Sequence, residues 1–267
     1  MSLIRHLKRL VYGLSEYALS PGSSEEHHHY TPDYDDVRAA RTILQSLKLP
    51  TELVLDILDR ARYWPCAHFV TRNRKSVKSG MNIVSEICFE GPVFPPSVLE
   101  SFQGEKVKLK EISWYIMSKD QGWTSEGTEG TFQTHSWTDV SILRPLGDSR
   151  DPCLSAVELA RTFGEVTELM DILSPRGWTM VPHQTDDGLS HTWRLQGNRV
   201  AGQNPESYHI TWSQDENRVI ADDGAGNGKG FIDLIQEGDR VVVWARCQYP
   251  GWCCEVHELE MALFYGF

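Results

Sequence analysis

The chain contains no Cys-x-x-Cys pair, no Gly-x-Ser-x-Gly elbow, and no apolar run near the roughly 20 residues that a membrane-crossing helix needs. Those absences exclude a zinc ribbon and a transmembrane helix, and they leave no recognisable nucleophile motif. The six cysteines, Cys66, Cys88, Cys153, Cys247, Cys253 and Cys254, fall at no zinc-ligand spacing. Cys253 and Cys254 lie in an expected strand, where consecutive side chains point to opposite faces, so disulfide geometry suits neither with the other. Without a secretory apolar segment, the thiols are expected to be reduced in an intracellular protein, cytoplasmic or nuclear. Basic residues are scarce where the chain is longest. Residues 1–80 carry 12 Lys and Arg against 9 Asp and Glu, and the remainder carries 14 against 28. A body so acidic lacks the basic footprint that a phosphate backbone requires, so no nucleic acid is expected as a partner.

What the chain does have is tryptophan. Of nine, eight follow residue 110, each in or beside a short alternating run: Trp114, Trp123, Trp137, Trp178, Trp193, Trp212, Trp244 and Trp252. Strand signals run through Ile83–Phe89, Val107–Met117, Thr131–Leu143, Gly177–Val181, His191–Leu195, Tyr208–Trp212, Phe231–Ile235, Arg240–Cys247 and Val256–Tyr265, with Gly and polar turns between them. That spacing predicts an antiparallel, jelly-roll-like β-sandwich over 80–267. Leu154, Val157, Ala160, Phe163, Val166, Leu169 and Leu173 recur at helical spacing, interrupted by Gly164, and predict a helical excursion near 154–173.

Ahead of the sandwich, residues 2–19 are apolar at Leu3, Ile4, Leu7, Leu10, Val11 and Leu14, with Arg5, Lys8 and Arg9 opposite. Such a helix docks on its own protein or a partner, or serves as a membrane-surface or mitochondrial targeting segment. Residues 20–35 have linker composition and include His27-His28-His29, a tract read as solvated rather than as a metal site. Residues 36–79 read as a helical region: Val37, Ala40, Ile43, Leu44 and Leu47 share one face, and a second helix opens at Pro50-Thr51 and closes at Pro65. The basic stretch 71–80 reads as a boundary.

Leu49-Pro50-Thr51-Glu52-Leu53-Val54-Leu55-Asp56-Ile57-Leu58 resembles the opening of an F-box. The resemblance implies docking of residues 49–64 onto a Skp1-type adaptor, with Leu53, Val54, Ile57 and Leu58 as the docking residues. Ser118–Trp123, Ser136–Thr138 and Arg240–Trp252 together resemble a group of fungal intracellular proteins carrying a Leu-Pro-x-Glu-Leu helix ahead of a sandwich. That resemblance implies a module of two parts and no particular activity.

Candidate binding residues follow from the turns. Asp120-Gln121-Gly122-Trp123 and Tyr249-Pro250-Gly251-Trp252 each set an aromatic ring just after a Gly turn at a strand end. Rings there stack on sugar faces beside polar donors, so Trp123, Asp120, Gln121, Arg246, Gln248, Tyr249 and Trp252 are candidate ligand contacts. The strand tryptophans Trp114, Trp137, Trp193, Trp212 and Trp244 are expected in the sandwich core.

Asp222–Gly230 holds four glycines among Asp222, Asp223, Asn227 and Lys229; it lacks the Walker and EF-hand spacings and reads as a flexible hairpin loop, with calcium through Asp222, Asp223 and Asn227 as the alternative. A dyad of His257 with Cys247, Cys253 or Cys254 can be drawn, although residues so close on one strand are ordinarily packed neighbours. No metal or cofactor is expected. The sequence therefore predicts a non-enzymatic interaction protein: an F-box-like helix for partner docking, and a sandwich that recognises a protein or a glycan. The alternatives are a lectin-like domain, or a fungal secondary-metabolism enzyme whose site is assembled from scattered residues.

Overall fold

The computed structural model describes residues 31–102, 104–147, 154–215 and 218–267. The helix expected at 2–19, the histidine tract and Cys153 lie outside the described residues. Two helices come first. Helix α1 (Tyr34–Ser46) opens with a reciprocal cap, in which the Asp33 carboxylate accepts from the Asp36 amide and the Asp36 carboxylate accepts from the Asp33 amide. Helix α2 (Thr51–Arg60) follows Pro50, with Glu52 in its first turn. They pack through Val37, Ala40, Val54 and Leu58, with Phe267 against the same cluster. Polar bolts fix the pair to the sandwich: Lys110 Nζ donates to Asp59 at 2.7 Å, Arg41 to Glu105 at 2.6 Å, and Arg62 to the buried carboxylate of Glu111.

Two antiparallel sheets follow. The first contains β1 (Cys66–Thr71), β2 (Lys75–Lys78), β4 (Lys108–Lys119), β11 (Glu206–Ser213), β12 (Ile220–Ala221) and β14 (Cys253–Gly266), in the order β1-β14-β4-β11-β12 with β2 also on β14. The second contains β3 (Val84–Pro92), β5 (Ser136–Pro145), β6 (Thr162–Phe163), β7 (Trp178–Met180), β10 (Trp193–Gly197) and β13 (Arg240–Cys247), in the order β10-β5-β13-β3-β6 with β7 also on β5. A hairpin, β8 (His183–Thr185) and β9 (Gly188–Ser190), pairs only with itself. Alternate residues build the core: Ile112, Trp114 and Ile116 of β4, and Leu259, Met261 and Leu263 of β14, bury together with Val241, Val243 and Ala245 of β13. The result is the expected sandwich, and no described helix is long and apolar enough to cross a membrane.

The outer face of the second sheet is covered as well. Helices α3 (Pro96–Ser101), α4 (Ala156–Leu159) and α5 (Glu168–Leu173) connect strands, and α5 with Phe163, Val166 and Trp178 forms a second core against Ile87, Val242 and Trp244. Trp244 therefore sits outside the inter-sheet core where the sequence put it, its Nε1 donating to Ser141 Oγ at 3.0 Å. Trp137 is misplaced in the same way. It lies between the guanidinium groups of Arg194 and Arg246, 4.6 and 5.2 Å from its centroid, and donates to Asp139 at 2.8 Å. Trp114, Trp193 and Trp212 do occupy the inter-sheet core.

Two other expectations change. Residues 66–78, assigned to the helical region and its boundary, are strands β1 and β2 of the first sheet. Their basic side chains pair across the sheet, Arg72 with Glu258 at 2.7 Å and Arg74 with Glu255 at 2.5 Å, while Val77 turns inward. The Phe231–Ile235 run is not a strand but a helical turn, α6 (Phe231–Leu234). Consecutive Phe231 and Ile232 are both buried in one core, which the alternation of a strand forbids.

The cap over the second sheet depends on an ion pair. Arg176 donates twice to Glu158, at 2.5 and 2.9 Å, and Ser155 donates to the same carboxylate. These contacts, the guanidinium first, hold the Glu158 pKa at about 2, below its ordinary value of 4.5. A depressed carboxylate stabilises the fold above its unfolded pKa, and that stabilisation fades as pH falls through the folded value. Between about pH 4.5 and pH 2, denaturant midpoints of the native chain should therefore fall. Glu158→Gln should lower the neutral-pH midpoint and flatten this acid limb; an unchanged acid limb would show that the pair does not hold the cap.

Candidate functional site

Three loops close one end of the sandwich: 120–135 after β4, 198–205 after β10 and 248–252 after β13. Backbone bonds tie them together, Gln248 N to His135 O, Asn198 N to Ser136 O and Gly130 N to Val200 O. Beneath them Asn198 is buried; its Oδ1 accepts from Ser118 and its Nδ2 donates to Lys119 O and Ser136 Oγ.

The predicted ligand residues divide at this end. Asp120 is buried, with one oxygen accepting from Gly122 N at 2.8 Å and the other from Ala201 N at 2.7 Å. Burial pushes its pKa up, against the pull of those amide donors. Gln121 donates to Trp123 O at 2.6 Å and accepts from Cys253 N at 3.3 Å. Both side chains hold loops, Asp120 from a buried position and Gln121 from a half-buried one. Trp252 is buried, with His135 edge-on between it and Tyr249 at 5.1 and 4.6 Å. Arg246 points elsewhere: its guanidinium donates to Asp139 at 2.7 Å and Ser85 at 3.0 Å on the outer face of the second sheet.

What remains of them at the loop end is two rings and the half-buried Gln248, whose backbone N–H donates to His135 O. Trp123 is 58% exposed and Tyr249 is 45% exposed. Gly251, at φ 88°, lets the indole lie close: a Cβ there would meet the Trp123 ring at 3.3 Å. His135 and Gln203, whose Nε2 donates to Gly122 O at 2.6 Å, complete the support. No sequence signal marks either residue, because each acts through a partner distant in the chain.

The F-box-like residues also divide. Val54 and Leu58 are buried against α1, so they are not available to a partner. Leu53 at 50% and Ile57 at 39% face outward, with Leu47 at 65% nearby in sequence.

The glycine-rich loop is packed where a flexible hairpin was expected. Trp212 Nε1 donates to Gly226 O at 2.9 Å, Trp193 Nε1 donates to Lys229 O at 3.1 Å, and Gly226 N donates to Leu195 O. A Cβ on Gly228 would fall 2.1 Å from the Trp212 ring, and one on Gly226 would fall 2.0 Å from Arg194 O. Glycine is required here for contact, and the loop seals the open side of the sandwich. Asp222 accepts from His209 N and Asn227 accepts from Lys229 N, and no group of three metal-ligating side chains occurs among the described residues. The drawn dyad also dissolves, since burial pushes the Cys247 and Cys254 thiols up to about 12 and keeps them protonated.

The clamp can be tested alone. Asp120→Ala should cost about 1–3 kcal/mol, the range for stranding buried donors. It should also raise hydrogen exchange at Gly122 and Ala201 while leaving β4 protected. Unchanged exchange at both amides would remove Asp120 from this role.

No protein-family profile and no curated protein matches the chain. Among solved structures it is similar to the Emp47p carbohydrate recognition domain, at 10% identity over 76% of this chain and 89% of that one, with TM-score 0.31. It is also similar to the potassium-bound Emp46p carbohydrate recognition domain, at 11% identity over 76% and 90%, with TM-score 0.27. The decameric BFDV capsid protein aligns at 9% identity over 75% and 96%, with TM-score 0.29. These likenesses concern the sandwich fold alone.

Proposed function

We propose that the chain is a non-enzymatic interaction protein whose sandwich recognises a glycan at the loop end, through Trp123 and Tyr249. The observation that supports this is the pairing of two exposed rings with loops whose buried polar groups are committed to holding them. Exposed aromatic faces on a rigid frame suit the flat apolar face of a sugar ring. The acidic body favours a ligand without phosphate. On a glycan array the native chain should give signal on neutral glycans. Trp123→Ala and Tyr249→Ala should each weaken it roughly two- to tenfold, the worth of about 0.5–1.5 kcal/mol of ring contact. Absence of signal, or signal indifferent to both changes, would sink the reading, and a protein captured through the same rings would redirect it.

A second surface is supported by the outward pair on α2. Leu53 and Ile57 stand one turn apart, exposed on a helix whose other face is already buried. We read this as the docking face of the F-box-like segment for a Skp1-type adaptor. Leu53→Asp with Ile57→Asp should abolish co-purification of an adaptor and leave the melting temperature unchanged. If the partner set does not change, the docking reading fails.

A further inference from the structure

A second ligand site lies away from the loop end, in a cleft of about 760 Å3 between the β8–β9 hairpin and the glycine-rich loop. Its size falls within the roughly 300–1,000 Å3 of small-molecule clefts. His183 borders it, with its imidazole stacked on Trp193 at 3.8 Å and 11°. Trp193 is in turn held edge-on by Phe231 at 5.0 Å and by its own bond to Lys229 O. The His183 Nε2 lies 2.9 Å from Thr192 O. A carbonyl only accepts, so Nε2 donates this bond. The opposite wall, Gly226–Gly230, is the loop pressed onto Trp212 and the Arg194 backbone, so it is as fixed as the floor.

The charges decide the ligand class. Arg194 and Lys229 bring two cations to the cleft, and Asp186 and Asp233 bring two anions. Arg194 is further neutralised by Asp139, Nε to Oδ1 at 3.2 Å. With no positive excess a phosphate gains little, and without converging carboxylates neither does a divalent cation. Gln184, Thr185, Thr192 and Asn227 line the same space; Gln184 Nε2 donates to Thr185 O, Thr185 Oγ1 donates to Gly188 O, and Asn227 Oδ1 accepts from Lys229 N. Fixed donors and acceptors of balanced charge beside a flat ring match a neutral polyhydroxylated ring.

The geometry points to a binding site for a neutral mono- or disaccharide in this cleft, independent of Trp123 and Tyr249. It is tested by amide-shift titration of the isotopically labelled full chain with glucose, galactose, mannose and N-acetylglucosamine, and separately with inorganic phosphate. At least one sugar should saturably shift Gly226, Gly228 and Gly230. Asn227→Leu should weaken that sugar about tenfold, as loss of paired hydrogen bonds implies. Because Asn227 also holds the Lys229 amide, Lys229→Met provides a surface variant that should weaken binding without disturbing the loop. Trp123→Ala should leave the titration unchanged, which separates this site from the loop-end reading. Shifts with phosphate alone, no shift with any of the sugars, shifts indifferent to both cleft variants, or shifts lost in Trp123→Ala would each overturn the assignment.

Discussion

The turn from Gln248 to Trp252 carries the chain from inside one sheet to inside the other, and the rest of the sandwich depends on how short it is. Packed sheets lie about 10 Å apart, and five extended residues span at most about 16–18 Å, so the turn can cross the gap and fold back but has no room for another element. Both strands it joins have neighbours on either side, β3 and β5 flanking β13, and β4 with β1 and β2 flanking β14. Fixing this one crossing therefore fixes the spacing of two sheets. The turn meets the demand with left-handed backbone at Tyr249 (φ 72°) and Gly251 (φ 88°). For a residue with a side chain that conformation costs about 1–3 kcal/mol. His135, edge-on against Tyr249 and Trp252, provides the compensating contact.

The same constraint engages the polar residues near the exposed rings in holding the loops. A crossing this tight, next to two other loops, leaves backbone amides facing inward with no sheet partner. Asp120 takes two of them, Gln121 takes another, and buried Asn198 joins β4 to β5 from below. The carboxylate and the amides hold the loops, and the rings of Trp123 and Tyr249 stay exposed. Arg246 shows the alternative outcome, a cation drawn to the far face by Asp139 because a buried guanidinium needs a partner more than a loop needs a donor.

Much of the architecture was legible in the sequence. Alternating runs marked the long strands, the two N-terminal helices carried their apolar stripes, and Gly164 did interrupt the helical excursion. The failures have physical causes. Period two says that neighbours face opposite ways, but it names the core face only when the other face is wet. From Ser136 to Leu143 every residue is buried, because the cap roofs the outer side, so Trp137 and Trp244 could not be assigned from pattern. Strands β1 and β2 were hidden by the charges between them, Arg72 and Arg74, whose partners Glu258 and Glu255 lie some 180 residues away. The glycine-rich segment failed for a further reason. A loop that must yield and a loop that must press on tryptophan both require residues without a Cβ. At the site, Trp123 was legible as an aromatic after a Gly turn, but the same signal marked Trp252, which is buried, while the exposed Tyr249 precedes its glycine; His135 and Gln203, known only through distant contacts, were not legible.

Cys88, Cys247, Cys253 and Cys254 are free thiols buried in the sandwich, and each is driven toward its neutral form by that burial. They lie on β3, β13 and the start of β14, which are strands from both layers. An alkylating reagent can reach Cys88, Cys247 and Cys254 only when those layers part, whereas Cys253, on the face opposite Cys254 and against Ser76, needs only a local opening. The protein thus carries its own gauge of opening: the rate at which each thiol is labelled reports how often that strand comes undone, and a ligand that rigidifies the frame would slow the clock at Cys88, Cys247 and Cys254 together.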